Sequence, residues 1–268
     1  MTIHRRSILE VGVLGAAAAS FSPAAAQIAS TQPSGKTYVL VHGAWHGGWC
    51  WLRVARLLRD AAHEVYTPTL TGLGERAHLA RPDIDLDAHV QDVLGVLEAE
   101  ELRNVILVGH SYAGMVISGV AARAANRLSH LVYLDAFVPE TGKSLLEYLA
   151  PRADAIRESA RTQGDGWRIP PFPPERFGVT SQRDREWLSR RLVPQPLSTF
   201  EQPLATAGGD KLKRVYVYCS SPAMGAFDQF AERLREDRKW QYHELKTGHD
   251  AMLTASGDVA KILLGLVK

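Results

Sequence analysis

The chain has 268 residues, 46% apolar and 22% charged, which allows a full hydrophobic core and excludes a disordered or fibrous polypeptide. Its formal net charge is +2, and Lys and Arg are scattered instead of forming a basic stripe, which argues against nucleic acid as a partner. Cys50 and Cys219, the only cysteines, are far apart in sequence and are read as buried free thiols, not a disulfide framework. The length suits one domain with an insertion.

At the start, Arg5 and Arg6 precede the apolar stretch from Val11 to Phe21, and Ala24-Ala25-Ala26 offers a small-residue cleavage site. Residues 1–26 are therefore expected to be a removable export signal. The Arg pair resembles a twin-arginine signal, which implies transport of the folded protein and a periplasmic destination. The apolar stretch falls well short of the roughly 20 residues that span a bilayer, so stable membrane insertion is not expected.

Beyond this segment the apolar periodicity alternates strand with helix. Strands are expected over Thr37 to His42, Glu64 to Pro68, Val105 to Gly109 and His130 to Leu134, and helices over Trp49 to Ala61, Asp85 to Glu100 and Tyr112 to Asn126. That rhythm predicts a mostly parallel α/β sheet covered on both faces. It then breaks until about residue 205, a span too long for a plain loop, so residues 139–205 are expected to form a cap. Within it Lys143 to Tyr148 and Arg183 to Leu192 look helical, while Pro170-Pro171-Phe172-Pro173-Pro174 should be rigid and extended. The alternation resumes with strands over Lys213 to Cys219 and Trp240 to Leu245 and helices over Ala226 to Arg235 and Val259 to Val267. The core is thus read as residues 36–138 and 206–268.

Chemistry is concentrated in three places. Gly109-His110-Ser111-Tyr112-Ala113 lies between an apolar strand and a helix, where a sharp turn pushes the serine hydroxyl out over the sheet and needs small neighbours. Ser111 is the candidate nucleophile. The glycine-rich loop His42-Gly43-Ala44-Trp45-His46-Gly47-Gly48 follows the first strand, the position from which one oxyanion-stabilising N–H is donated; Tyr112 would supply the other. Thr247-Gly248-His249-Asp250 follows the last strand, and its position makes His249 the general base. His42, His46 and His110 are read as structural or pocket-lining.

These segments, together with Pro68-Thr69-Leu70-Thr71-Gly72-Leu73-Gly74 and Tyr133-Leu134-Asp135-Ala136-Phe137-Val138-Pro139, resemble one branch of the α/β-hydrolases. That branch contains plant salicylate esterases, hydroxynitrile lyases and bacterial relatives that hydrolyse small esters and carbamates. The resemblance runs from about Tyr38 to the C-terminus. It implies the α/β-hydrolase fold with a helical cap, oxyanion donors at the main chain of Ala44 and Tyr112, and an apolar pocket beneath the cap. Plant members of the branch carry the triad aspartate after the strand corresponding to Lys213 to Cys219, where this chain reads Cys219-Ser220-Ser221-Pro222, without a carboxylate. Asp135, at the end of the preceding core strand, is the expected orienting acid, with Asp228 as its rival.

The expected function is hydrolysis of a small carboxylic ester through a serine-bound acyl intermediate. Carbamate or activated amide hydrolysis is the alternative, since the same residues serve both. A hydroxynitrile lyase would carry a threonine and a lysine where this chain has Gly43 and Asp250. A non-catalytic receptor on this fold would usually have lost the serine or histidine. Trp45, Phe137, Phe172, Phe177 and Phe227, together with Tyr112, are candidates for the substrate pocket. The histidine spacing implies no metal, and no cofactor-binding loop is evident.

Overall fold

Six of the strands run parallel in one sheet, in the order β2-β1-β3-β4-β7-β8. A computed structural model describes residues 35–266, so the expected export signal lies outside the described residues. In chain order the first half contains β1 (Thr37–Val41), α1 (Leu52–Asp60), β2 (Glu64–Tyr66), α2 (Leu86–Ala99), β3 (Val105–His110), α3 (Ala113–Ala124) and β4 (Leu128–Leu134). The inserted segment holds α4 (Leu145–Tyr148), α5 (Ala153–Gln163), β5 (Arg168–Ile169), α6 (Gln182–Ser189), β6 (Gln195–Pro196) and α7 (Ser198–Glu201). The chain closes with β7 (Lys213–Cys219), α8 (Asp228–Arg235), β8 (Trp240–Leu245), α9 (Ala251–Thr254) and α10 (Ser256–Gly265).

Central β3 is buried at every position, as a strand covered by helices on both faces must be, whereas edge strand β8 is half exposed. The chain passes from β1 outward to β2, then returns to place β3 on the other side of β1. This reversal opens a crevice at the carboxyl ends of β1 and β3, where ligands bind in sheets of this kind. Register levels that rim: Val41 pairs with Gly109, His110 with Leu134, Leu134 with Val217 and Cys219 with Leu245. The loops after β1, β3, β4, β7 and β8 therefore emerge at one edge of the sheet.

Differences from the periodicity have local causes. The stretch expected as one helix from Trp49 opens as a 3₁₀ turn, Gly48–Trp51, because the glycine loop is still unwinding there. β2 stops at Tyr66, before Pro68, which has no N–H for a ladder. Helix α5 was not expected; its apolar face is short, with Ala153 and Ile156 only partly buried and Ala160 buried. The Pro-rich segment is extended at Pro173 (φ −64°, ψ 149°), yet Pro174 opens a short 3₁₀ turn, where a missing N–H costs nothing.

Candidate active site

Ser111 sits at the turn between β3 and α3 with φ +56°, in the left-handed region that a side-chain-bearing residue enters at a cost. The turn tightens because its neighbours are small. A Cβ on Gly109 would come within 2.8 Å of the Ala113 carbonyl oxygen, and one on Gly114 within 1.9 Å of that of Phe137. Across the crevice, a Cβ on Gly43 would lie 2.9 Å from the Ser111 Cβ. The turn is tied down by Ser111 N–H donating to the Leu134 carbonyl at 3.2 Å and by Phe137 N–H donating to the Ser111 carbonyl at 3.2 Å. Ser111 is only partly buried within an otherwise buried stretch, which leaves its side chain at the cleft.

His249 enters the same cleft from the loop after β8, pressed between Phe227, whose ring stacks on it at 4.8 Å, and the His110 ring at 4.4 Å. Its Nδ1 lies 2.6 Å from Asp135 Oδ2, with both residues buried. The other Asp135 oxygen accepts from Cys219 N–H at 3.1 Å. Thus the end of β7 supplies a main-chain donor to Asp135, the residue directly after β4. Burial pushes the Asp135 carboxyl above its ordinary range, with the His249 and Cys219 hydrogen bonds opposing that rise. Asp228 is half-buried and accepts instead from the Tyr218 hydroxyl at 2.7 Å.

The main-chain N–H groups of Ala44 and Tyr112 have no acceptor among the described residues, and both residues line the cleft beside Ser111 and His249. Two unpartnered donors at the end of a strained turn can stabilise an oxygen that gains negative charge.

The cleft encloses about 530 Å³, part of it open to solvent, and its wall is almost wholly apolar. Trp45, Tyr112, Phe137, Phe172, Phe227 and Phe200 supply its aromatic surface. Phe177, the remaining aromatic expected there, is not on the cleft wall. It is buried behind His249, 6.1 Å from that ring, and its carbonyl accepts from Asp250 N–H at 3.0 Å. Phe200 was not singled out from the sequence, because a lone aromatic in a four-residue helix has no pattern around it.

Of the other histidines, His42, His46, His89 and His110 are buried. His46 pairs with Asp250 at 3.1 Å; burial disfavours its charged form, but the Asp250 carboxylate outweighs this and raises its pKa. His110 is held well below its ordinary pKa by burial, and its Nε2 donates to the His249 carbonyl at 3.0 Å. His110, His249 and Asp250 bring potential ligand atoms within 4.8 Å of one another, a grouping the sequence spacing does not foretell. Two of these groups are already engaged in orienting the loop: His110 through the His249 carbonyl, and His249 through Asp135. Cys50 and Cys219 are buried free thiols, each pushed up by burial.

Similarity to known proteins agrees with this geometry. Residues 38–262 match the family described as the alpha/beta hydrolase family. The carbendazim hydrolyzing esterase of Nocardioides sp. (strain SG-4G) is 46% identical over 241 residues, covering 85% of this chain and 98% of that protein. Methylesterase 10 of Arabidopsis thaliana is 26% identical, over 84% of this chain and 90% of its own. Among solved structures, an extracellular alpha/beta-hydrolase from a Paenibacillus species superposes with a TM-score of 0.75 at 23% identity, covering 86% of this chain and 98% of that one. With a matching family pattern over most of its length, a parallel sheet of the right order and a serine on the strained turn after β3, the chain belongs to the alpha/beta hydrolase family.

Proposed function

We propose that the chain is a serine hydrolase that cleaves small carboxylic esters through an acyl-enzyme, with Ser111 as nucleophile, His249 as general base and Asp135 as orienting acid. The observation that carries this reading is the 2.6 Å contact between His249 Nδ1 and Asp135 Oδ2 in a cleft that also contains Ser111. In the proposed mechanism the Asp135 carboxylate accepts a hydrogen bond from His249 Nδ1–H, leaving Nε2 free to take the Ser111 proton as Oγ attacks the ester carbonyl. The N–H groups of Ala44 and Tyr112 hold the developing oxyanion. His249 then returns its proton to the leaving alcohol, and water repeats the sequence on the acyl-enzyme.

The inserted segment, residues 139–205, is taken as the cap of this enzyme, since Leu145, Leu149, Phe172 and Phe200 close the cleft over Ser111. An almost wholly apolar wall favours a small aromatic or short acyl group. A second reading, hydrolysis of a carbamate by the same residues, is favoured by the 46% identity to an esterase named for carbendazim hydrolysis. Export of the mature protein to the periplasm belongs to the same proposal, supported by Arg5-Arg6, the apolar stretch after them and Ala24-Ala25-Ala26. Among the described residues, no helix is long and apolar enough to cross a membrane.

The test is turnover of p-nitrophenyl esters, methyl salicylate, carbendazim and mandelonitrile by the mature protein and by Ser111→Ala. Ester turnover with a burst of p-nitrophenol, both lost in the variant, is expected. Ligand binding by folded protein without turnover would instead make it a receptor, and cyanide release would make it a lyase.

A further inference from the structure

Trp45 directly follows Ala44, the proposed oxyanion donor, and is itself held in the left-handed region at φ +65°. An aromatic residue stays there only when its surroundings impose it. Every polar group of Trp45 is bound by the inserted segment. Its N–H donates to Gln195 Oε1 at 3.1 Å, its carbonyl accepts from Val193 N–H at 3.0 Å, and its indole Nε1 donates to the Ile169 carbonyl at 3.0 Å.

Gln195 is fully buried, and because its oxygen faces a donor, its Nε2 must be the atom that donates to Thr199 Oγ1, at 2.7 Å. Thr199 is also fully buried; its hydroxyl donates to the Pro196 carbonyl at 2.6 Å, which leaves its oxygen to accept from Gln195. Tyr112, the residue of the other proposed donor, is anchored separately: its hydroxyl donates to His89 Nδ1 at 2.9 Å, since His89 Nε2 donates to the Thr71 carbonyl. A buried polar chain therefore runs from Trp45 through Gln195 and Thr199 to the Pro196 carbonyl, tying the loop that carries the proposed Ala44 donor to the inserted segment. Leaving an amide or hydroxyl unpaired in so apolar a place is costly, so each link holds its neighbour.

We infer that Gln195 and Thr199 are positioning residues that set the oxyanion hole from within the inserted segment, an inference that rests on the hydrolase reading above. The corollary is mechanical. Lifting this part of the insertion would break three hydrogen bonds to Trp45 and release the loop bearing Ala44, so β5, β6 and α7 stay seated through the catalytic cycle and do not swing open as a lid.

Gln195→Leu, Thr199→Val and the conservative Thr199→Ser separate this role from wall packing. For a p-nitrophenyl ester, kcat is expected to fall about 10²-fold in Gln195→Leu, the scale of a misplaced oxyanion donor, with KM within about twofold. Affinity for a trifluoromethyl ketone, which forms a tetrahedral oxyanion adduct on the serine, should fall in parallel with kcat. Thr199→Val should show the same pattern more weakly, and Thr199→Ser should restore it. If Gln195→Leu does not fold, the valine and serine pair still decides the matter. A folded variant with unchanged kcat and ketone affinity, or one in which only KM rises, overturns the inference. Wild-type turnover and its loss in Ser111→Ala report on the hydrolase reading separately.

Discussion

Asp135 has no spare capacity at its buried position: one oxygen faces His249 Nδ1 and the other the Cys219 N–H. Replacing the carboxylate by an amide preserves size but leaves one acceptor where two are used, and under the proposed mechanism the imidazole loses the partner that fixes its tautomer. Asp135→Asn is expected to lower kcat by about 10⁴-fold, the effect of losing an orienting acid elsewhere, with little change in melting temperature. Asp228→Asn, which removes only the partner of the Tyr218 hydroxyl, should leave kcat within about twofold. Steady-state kinetics on the two purified variants decide between them, and the opposite ranking would make Asp228 the acid. At this scale the placement of Ser111 and His249 in one cleft was legible because each sits in a local backbone setting that leaves a trace in the sequence: small residues around a strained turn, and a loop after the last strand. The carboxylate that faces His249 left no such trace. Both Asp135 and Asp228 follow core strands, and only the lateral register of β4 against β7, together with the path of the His249 loop, brings one of them to the imidazole.

The Pro-rich stretch of the insertion acts as a stiff arm whose one large side chain, Phe172, packs on Trp45 with ring centroids 4.8 Å apart. Fixed φ angles at the flanking prolines keep the ring in place at little entropic cost. Phe172→Ala should lengthen the cleft without unfolding the protein, since Phe172 is only half-buried. The expected result is a several-fold rise in KM for a p-nitrophenyl butyrate and a shift of kcat/KM toward longer acyl chains. Equal ratios of octanoate to butyrate turnover in variant and parent would show that Phe172 does not bound the acyl site. The prolines were legible because their covalent geometry acts regardless of context. Helix α5 was not, because an apolar face of two alanines and one isoleucine, Ala153, Ile156 and Ala160, is a weak signal among charged residues.

Across the whole molecule, three buried histidines are held neutral by burial: His42, lowered to about 3, and His89 and His110, also lowered. Geometry enforces this for His42, whose Nδ1 donates to the Gly43 carbonyl while Nε2 accepts from Leu70 N–H; a second ring proton would orphan that N–H. A histidine whose pKa is depressed on folding contributes stability above the unfolded value near 6.5 and loses it as pH falls toward the folded value. Three such groups give a limiting slope of about 4 kcal/mol per pH unit over the upper part of that window. His46 has the opposite sign: raised by Asp250, it contributes fully below about 6.5 and loses its contribution only at higher pH. The rise at Asp135 opposes the slope by at most one proton, between the ordinary carboxylate range and its raised folded value. Urea denaturation midpoints should therefore drop steeply between pH 7 and pH 5, and a flat profile would mean that the buried histidines charge without penalty.

The alternation of apolar strands and amphipathic helices, the tight serine turn, the glycine loop after β1 and the histidine after β8 were all written in residues near each other in the chain, because backbone sterics and burial of one face are local demands. Tertiary structure alone decided the partner of His249, the place of Phe177 behind the site instead of on its wall, and the polar chain from Trp45 through Gln195 to Thr199. The bond from Trp45 to Gln195 joins residues 150 positions apart. A contact over that distance depends on where the insertion is laid down across the sheet, and no spacing along the sequence encodes it.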